Sequence, residues 1–183
     1  MKNSKQSIQG VKYVIGVDPS GNFTEGKGTT GIAVYDIEND KIDFITDVFA
    51  GDFNSREEYF AENWKTLYEL FGEYTYLGKT VISIEDYVLY AGDRQRAQTN
   101  SHMETPMLLG YLLQMFWNKG ITYTIRTASQ AKPRWTEDVL VAKGYIYQKG
   151  NKYTHPKWVG GLKTHHRDAM KHALQCGKFE VNK

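Results

Sequence analysis

Three strand-like runs crowd into the first fifty residues, and after them strands alternate with helices. This order limits the fold more than any other feature of the chain. Lys12 to Asp18 is β-branched and aromatic and ends at Asp-Pro. Thr30 to Asp36 is the second run, and Lys41 to Phe49, with partial alternation, is the third. Asn39-Asp40 supplies a turn between the last two, so the three form an antiparallel meander. Ser55 and Glu58 have capping-box spacing. Phe60, Trp64, Leu67 and Phe71 then mark one helical face, with Gly72 as its stop. Thr80 to Glu85 is a short apolar strand suited to the middle of a parallel sheet. Residues 87–102 read as a polar loop. Thr105-Pro106 opens an apolar helix as N-cap and first residue, with Leu109, Leu112, Leu113 and Phe116 as its stripe and Gly120 as its end. Ile121 to Ile125 alternates as a strand. Pro133 opens a helix to Gly144, Tyr145 to Gly161 is a hairpin or ordered loop, and a last helix runs from about Thr164 to Gly177. The order β-β-β-α-β-α-β-α-α predicts an α/β fold: a mixed five-stranded sheet, three antiparallel strands then two parallel, with helices on both faces. No repeat or linker divides it, so one domain over 1–183 is expected, with 1–10 a flexible polar tail.

Composition excludes several classes. Apolar residues are 40% and charged residues 24% of the 183, a globular balance. The longest mostly apolar run, Met107 to Trp117, contains Gln114 and falls short of the roughly 20 residues a membrane helix needs. The first ten residues lack an apolar signal core. One cysteine, Cys176, excludes an intramolecular disulfide and a multi-cysteine zinc site. A cytoplasmic setting is expected. Charge is uneven: residues 1–125 carry 11 Lys/Arg against 17 Asp/Glu, and residues 126–183 carry 12 against 4. A basic carboxy-terminal third of this kind suggests a polyanionic partner.

Three carboxylates stand where this topology gathers side chains. Asp18 ends the first strand, Glu85 ends the fourth, and Asp168 lies near the start of the last helix. If the fourth strand runs parallel beside the first, Asp18 and Glu85 share one end of the sheet. His165 and Asp168, three apart, share a helix face. Clustered carboxylates call for cations. Two divalent ions balance them together with one bound phosphodiester, which is the logic of two-metal phosphoryl hydrolysis. Taken singly, each acid also has an ordinary reading: a turn device, an exposed strand end, a helix-dipole partner.

The motifs around these acids carry a resemblance. Ile15-Gly-Val-Asp18-Pro-Ser-Gly, with Thr29-Thr-Gly-Ile-Ala-Val34, resembles the opening of RuvC-type Holliday junction resolvases. Val81-Ile-Ser-Ile-Glu85-Asp-Tyr is similar to that family's second acidic motif. Thr127-Ala-Ser-Gln-Ala-Lys132 resembles its basic segment. His165-His-Arg-Asp168-Ala-Met-Lys-His-Ala-Leu174 resembles its closing motif, in which an acid or a histidine precedes the last Asp by three. The motifs follow the family's order over nearly the whole chain, and the length is that of small bacterial and phage members, the lactococcal-phage kind above all. The resemblance implies an RNase H-like fold, a homodimer, and Mg2+- or Mn2+-dependent cutting of four-way DNA junctions; whether forks and flaps are also cut stays open. This chain departs from the family in a longer loop from Ser20 to Gly28. It also has Val88 where some members place a junction-opening Phe; Tyr87 and Tyr90 are candidate substitutes, with a core or loop aromatic as the ordinary reading of each.

The implied roles follow residue by residue. Asp18, Glu85 and Asp168 hold the metal ions, with His165 as a further ligand that suits Mn2+. Lys132 meets a phosphate at the active site. From position and charge alone, Arg94 and Arg96 on the polar loop are candidates for the junction centre, and Lys143, Lys149, Lys152, Lys157 and Lys163 for backbone contacts, with a solvated surface as the ordinary reading of each lysine. His166 and His172 read as plain surface residues or as groups standing behind the ligands; a zinc site from His165, His166 and His172 is weak, because adjacent histidines on a helix point apart. The rivals are an actin-like ATPase using the Gly-rich Ser20–Gly31 stretch, a packaging-motor nuclease, and a junction-binding module without catalysis.

Overall fold

The amino-terminal runs pair as the sequence predicts. In the computed structural model of the chain, which describes residues 8–88 and 103–182, β1 (Tyr13–Asp18), β2 (Thr29–Asp36) and β3 (Lys41–Phe49) form an antiparallel meander. β4 (Thr80–Glu85) returns parallel to β1, and β5 (Tyr123–Arg126) lies parallel to β4. The strand order is β3-β2-β1-β4-β5. β1 is therefore central, and all six of its residues are buried.

The pleat divides the core into two layers. Ile15, Val17, Ile82 and Ile84 face α1 (Arg56–Leu77) and α2 (Glu104–Lys119). Val14, Ala33 and Val81 face the other way, onto α4 (Glu137–Ala142) and α5 (Thr164–Phe179). Between β5 and α4 lie the short α3 (Ala128–Ala131) and a 3-10 turn, Lys132–Arg134. A small hairpin, β6 (Tyr147–Lys149) and β7 (Lys152–Thr154), precedes α5. Two glycines let α5 lie against the sheet backbone. A Cβ on Gly16 would stand 2.0 Å from the Ala169 carbonyl oxygen, and one on Gly31 2.2 Å from that of His165. No side chain fits at either position, so the start of the helix is set directly over β1 and β2.

Several boundaries differ from the sequence reading, each for a tertiary reason. α1 passes through Gly72 and ends at Gly78, because buried Tyr74 packs on Tyr13 and donates to Asp43. Its inner face also turns toward Asn63, whose side-chain amide donates to the Tyr59 carbonyl, so that Trp64 is only half-buried. α2 starts at Glu104 with Met103 as its cap, two residues ahead of the expected Thr105 cap. The Thr105 hydroxyl is engaged elsewhere, accepting the Gly21 N–H. Pro133 sits in the 3-10 turn, and the following helix begins at Glu137, capped by Thr136, because the backbone turns at buried Trp135. α5 continues past Gly177, which packs on the Tyr35 ring, to Phe179.

Ile8 bridges to Val181, and residues 1–7 of the expected tail lie outside the described residues. So do Tyr90, Arg94 and Arg96 of the polar loop. Among the described residues no helix is long and apolar enough to cross a membrane.

Candidate active site

The parallel pairing of β1 and β4 aligns Val17 with Ile84, so the next residues, Asp18 and Glu85, stand side by side at the carboxyl edge of the sheet. α5 brings His165 and Asp168 over the same edge. The 3-10 turn after α3 brings Lys132. These five side chains meet. His165 Nδ1 lies 2.6 Å from Asp18 Oδ2. The Lys132 ammonium is 2.7 Å from Asp168 Oδ2, 2.9 Å from Glu85 Oε2 and 4.0 Å from Asp18 Oδ1.

Crowding sets the electrostatics. Burial pushes the Asp18 carboxyl up to about 6; the hydrogen bond with His165 pulls it down, and neighbouring Glu85 pushes it up again. Burial also pushes Glu85 up, but the hydrogen bond with His172, together with Asp18 and the Lys132 charge, holds it below the usual carboxylate range. Burial alone would lower Lys132, and the surrounding carboxylates raise it well above an ordinary lysine. His165 is raised, chiefly by Asp18. Opposed shifts of this kind in a buried set of carboxylates make the cluster a candidate functional site.

With Lys132 at their centre, no three acidic, imidazole or thiol groups among the described residues surround a common point as ligands. The donor set nevertheless fits a hard divalent cation. Carboxylate oxygens are the ligands such ions take, with an imidazole added for the softer ones. The centre already accommodates one cationic head, within 4.0 Å of all three acids.

Two groups stand behind this cluster: Lys171, which the sequence reading missed, and His172, for which it left a surface place and a place behind the ligands both open. Lys171 bridges Asp168 Oδ1 and Glu137 Oε1 at 2.9 Å each. His172, fully buried, reaches Glu85 Oε2 at 2.8 Å. The signal was present: positions 165, 168 and 172 fall on one helical face. His165 and His166 do point apart, the first to Asp18 and the second to Asp47 at 3.0 Å.

The remaining expected contacts are dispersed. Lys143, Lys149, Lys152 and Lys157 are exposed, the middle two flanking the hairpin turn. Lys163 pairs with Asp47 at 3.3 Å. Tyr87 packs against the α1–α2 core with its hydroxyl buried. Its ring also lines a cavity of about 200 Å³ beside Glu85, shared with Pro19, Val88, Thr105 and Ser129. The long loop after Asp18 is clamped to α2. Buried Glu104 accepts the Thr24 hydroxyl at 2.6 Å and its N–H at 3.1 Å.

No family model matches the chain, and no curated protein matches it. Solved structures do. Thermus thermophilus RuvC in complex with a Holliday junction substrate superposes with a TM-score of 0.58 at 14% identity, covering 89% of this chain and 90% of that one. A second structure of Thermus thermophilus RuvC gives 0.57 at 14% identity, over 89% and 92%. This likeness shows the fold, an RNase H-like mixed sheet covered by helices on both faces.

Proposed function

We propose that this chain is a single-domain, metal-dependent endonuclease that cuts branched DNA, four-way junctions first, with forks and flaps as further substrates. One observation carries the reading: Asp18, Glu85 and Asp168 converge on one cationic centre, beside an imidazole, at the carboxyl edge of the sheet. The fold supports it, being shared with a protein solved on a Holliday junction. The kinship with lactococcal-phage enzymes, and with it a role in phage recombination or debranching before packaging in the host cytoplasm, rests on the motif resemblance.

Asp18, Glu85 and Asp168 would hold two divalent ions, Mg2+ or Mn2+, with His165 beside Asp18 as a further donor. Bound there, the ions would supply the acidity for a water at neutral pH and charge stabilisation for the leaving 3′ oxygen. Lys132 gives up its carboxylate contacts and meets the scissile phosphate as a point charge. The products carry 5′-phosphate and 3′-hydroxyl ends. Arg94, Arg96, Tyr87 and Tyr90 address the junction centre. Lys143, Lys149, Lys152, Lys157 and Lys163 contact phosphates, which orient the DNA without reading its sequence. Two symmetric nicks need two sites related by a two-fold axis, so the working unit is a homodimer.

The test is wild-type protein on a labelled four-way junction, a fork and linear duplex, in Mg2+, Mn2+ or EDTA. The expected result is paired symmetric nicks in the junction with either metal and none in EDTA. Junction binding without cutting in any metal would contradict the proposal and leave a non-catalytic binding module.

A further inference from the structure

One buried ring at the site has no part in the mechanism above. His172 lies on α5 one turn beyond Asp168 and has no solvent exposure. Its Nε2 is 2.8 Å from Glu85 Oε2. Its Nδ1 is buried and, among the described residues, has no hydrogen-bond partner. A carboxylate oxygen accepts, so the ring proton belongs on Nε2 and Nδ1 is left as a bare acceptor. A buried acceptor without a partner is destabilising, and an apolar side chain of similar size would fill the space without that penalty. Packing therefore does not account for a histidine here. Its one polar contact does.

Glu85 needs such a contact. It is the last residue of β4, and nothing in the strand ladder fixes a terminal carboxylate. Lys132 touches both of its oxygens, at 2.9 and 3.2 Å, from a long, flexible and partly exposed chain. His172 approaches from the buried side on a helix that Gly16 seats against the sheet backbone. Its rigid ring ties down Oε2 from behind, while both carboxylate oxygens stay within reach of the cluster centre.

We propose that His172 is a positioning residue: its Nε2–H holds the Glu85 carboxylate in the orientation that offers an oxygen to a divalent cation. This rests on the nuclease reading above. Partners behind a metal ligand typically change metal affinity by about 10- to 100-fold when removed.

The test uses two amides of equal polarity. In His172→Gln the amide nitrogen falls where Nε2 was and can still donate to Glu85. In His172→Asn it falls where Nδ1 was and cannot. Mn2+ binding is read from the EPR signal of the free ion, beside thermal melting and junction binding in EDTA. His172→Asn is expected to raise the Mn2+ midpoint by about 10- to 100-fold and His172→Gln by no more than about threefold, with junction binding in EDTA kept. Equal midpoints for wild type, Gln and Asn would overturn the proposal. Should either variant unfold, long-range 1H–15N spectra of the wild type decide: a slowly exchanging Nε2–H that shifts in Glu85→Gln supports the role, and an Nδ1–H tautomer overturns it. Wild type that binds no Mn2+ contradicts the nuclease reading, and the tautomer still reports whether His172 holds Glu85.

Discussion

Lys132 holds three carboxylates in the described structure, and removing it leaves them facing one another. Breaking a buried ion pair costs about 3–5 kcal/mol. Lys132 is partly exposed, so about 2 kcal/mol is the expected loss, roughly 4–8 °C in Tm for a chain of this size. Lys132→Ala should melt that much lower in EDTA, and millimolar Mg2+ should restore it, because a divalent cation then neutralises the same acids. An unchanged Tm, or one indifferent to metal, would show that Lys132 does not carry the charge balance. The three acids and Lys132 were legible in the sequence, because each closes a strand or opens a helix within a recognisable motif. Lys171 was not, and the helical face of His172 was legible without its partner, since Glu137 and Glu85 are distant in sequence and meet them only when α5 lies on the sheet.

Elements were legible where local chemistry decides them and were misread where tertiary contacts override it. Ser55 caps α1 through the Glu58 N–H as its spacing predicts, and β4 matches its expected bounds. Gly72, Thr105 and Pro133 are punctuation in a local reading. In the fold, Tyr74, the Gly21–Thr105 bond and buried Trp135 outweigh them. The contact between α4 and α5 also sets a pH response. Burial pushes the Glu137 carboxyl up, but hydrogen bonds from Lys171 and Arg167 outweigh it and hold it at about 2, below the ordinary 4.5. A depressed carboxyl stabilises fully above its unfolded value and loses that contribution as pH falls through its folded value. The stability gap between wild type and Glu137→Gln, from urea unfolding, should therefore be largest near about pH 7 and shrink markedly by about pH 3. A gap independent of pH would rule out the assigned ion pairs.

At the scale of the whole molecule, charge and site are arranged together. The hairpin lysines lie in the segment that leads into α5, the helix that carries His165 and Asp168 to the active edge, and residues 143–163 contain no Asp or Glu. Each phosphate contact contributes about 0.9 to the slope of log affinity against log salt. Replacing Lys149, Lys152 and Lys157 together by Ala should flatten the slope for junction binding by about 2–3 and leave the nick positions unchanged. An unaltered slope would remove the hairpin from the DNA interface. The central claim, that the converged acids cut DNA, rests most directly on Asp18→Asn, which removes a carboxylate while keeping its shape. Cleavage of a labelled four-way junction in Mg2+ and in Mn2+ should be lost, with junction binding in EDTA within about threefold of wild type. Retained cutting by Asp18→Asn would contradict the account.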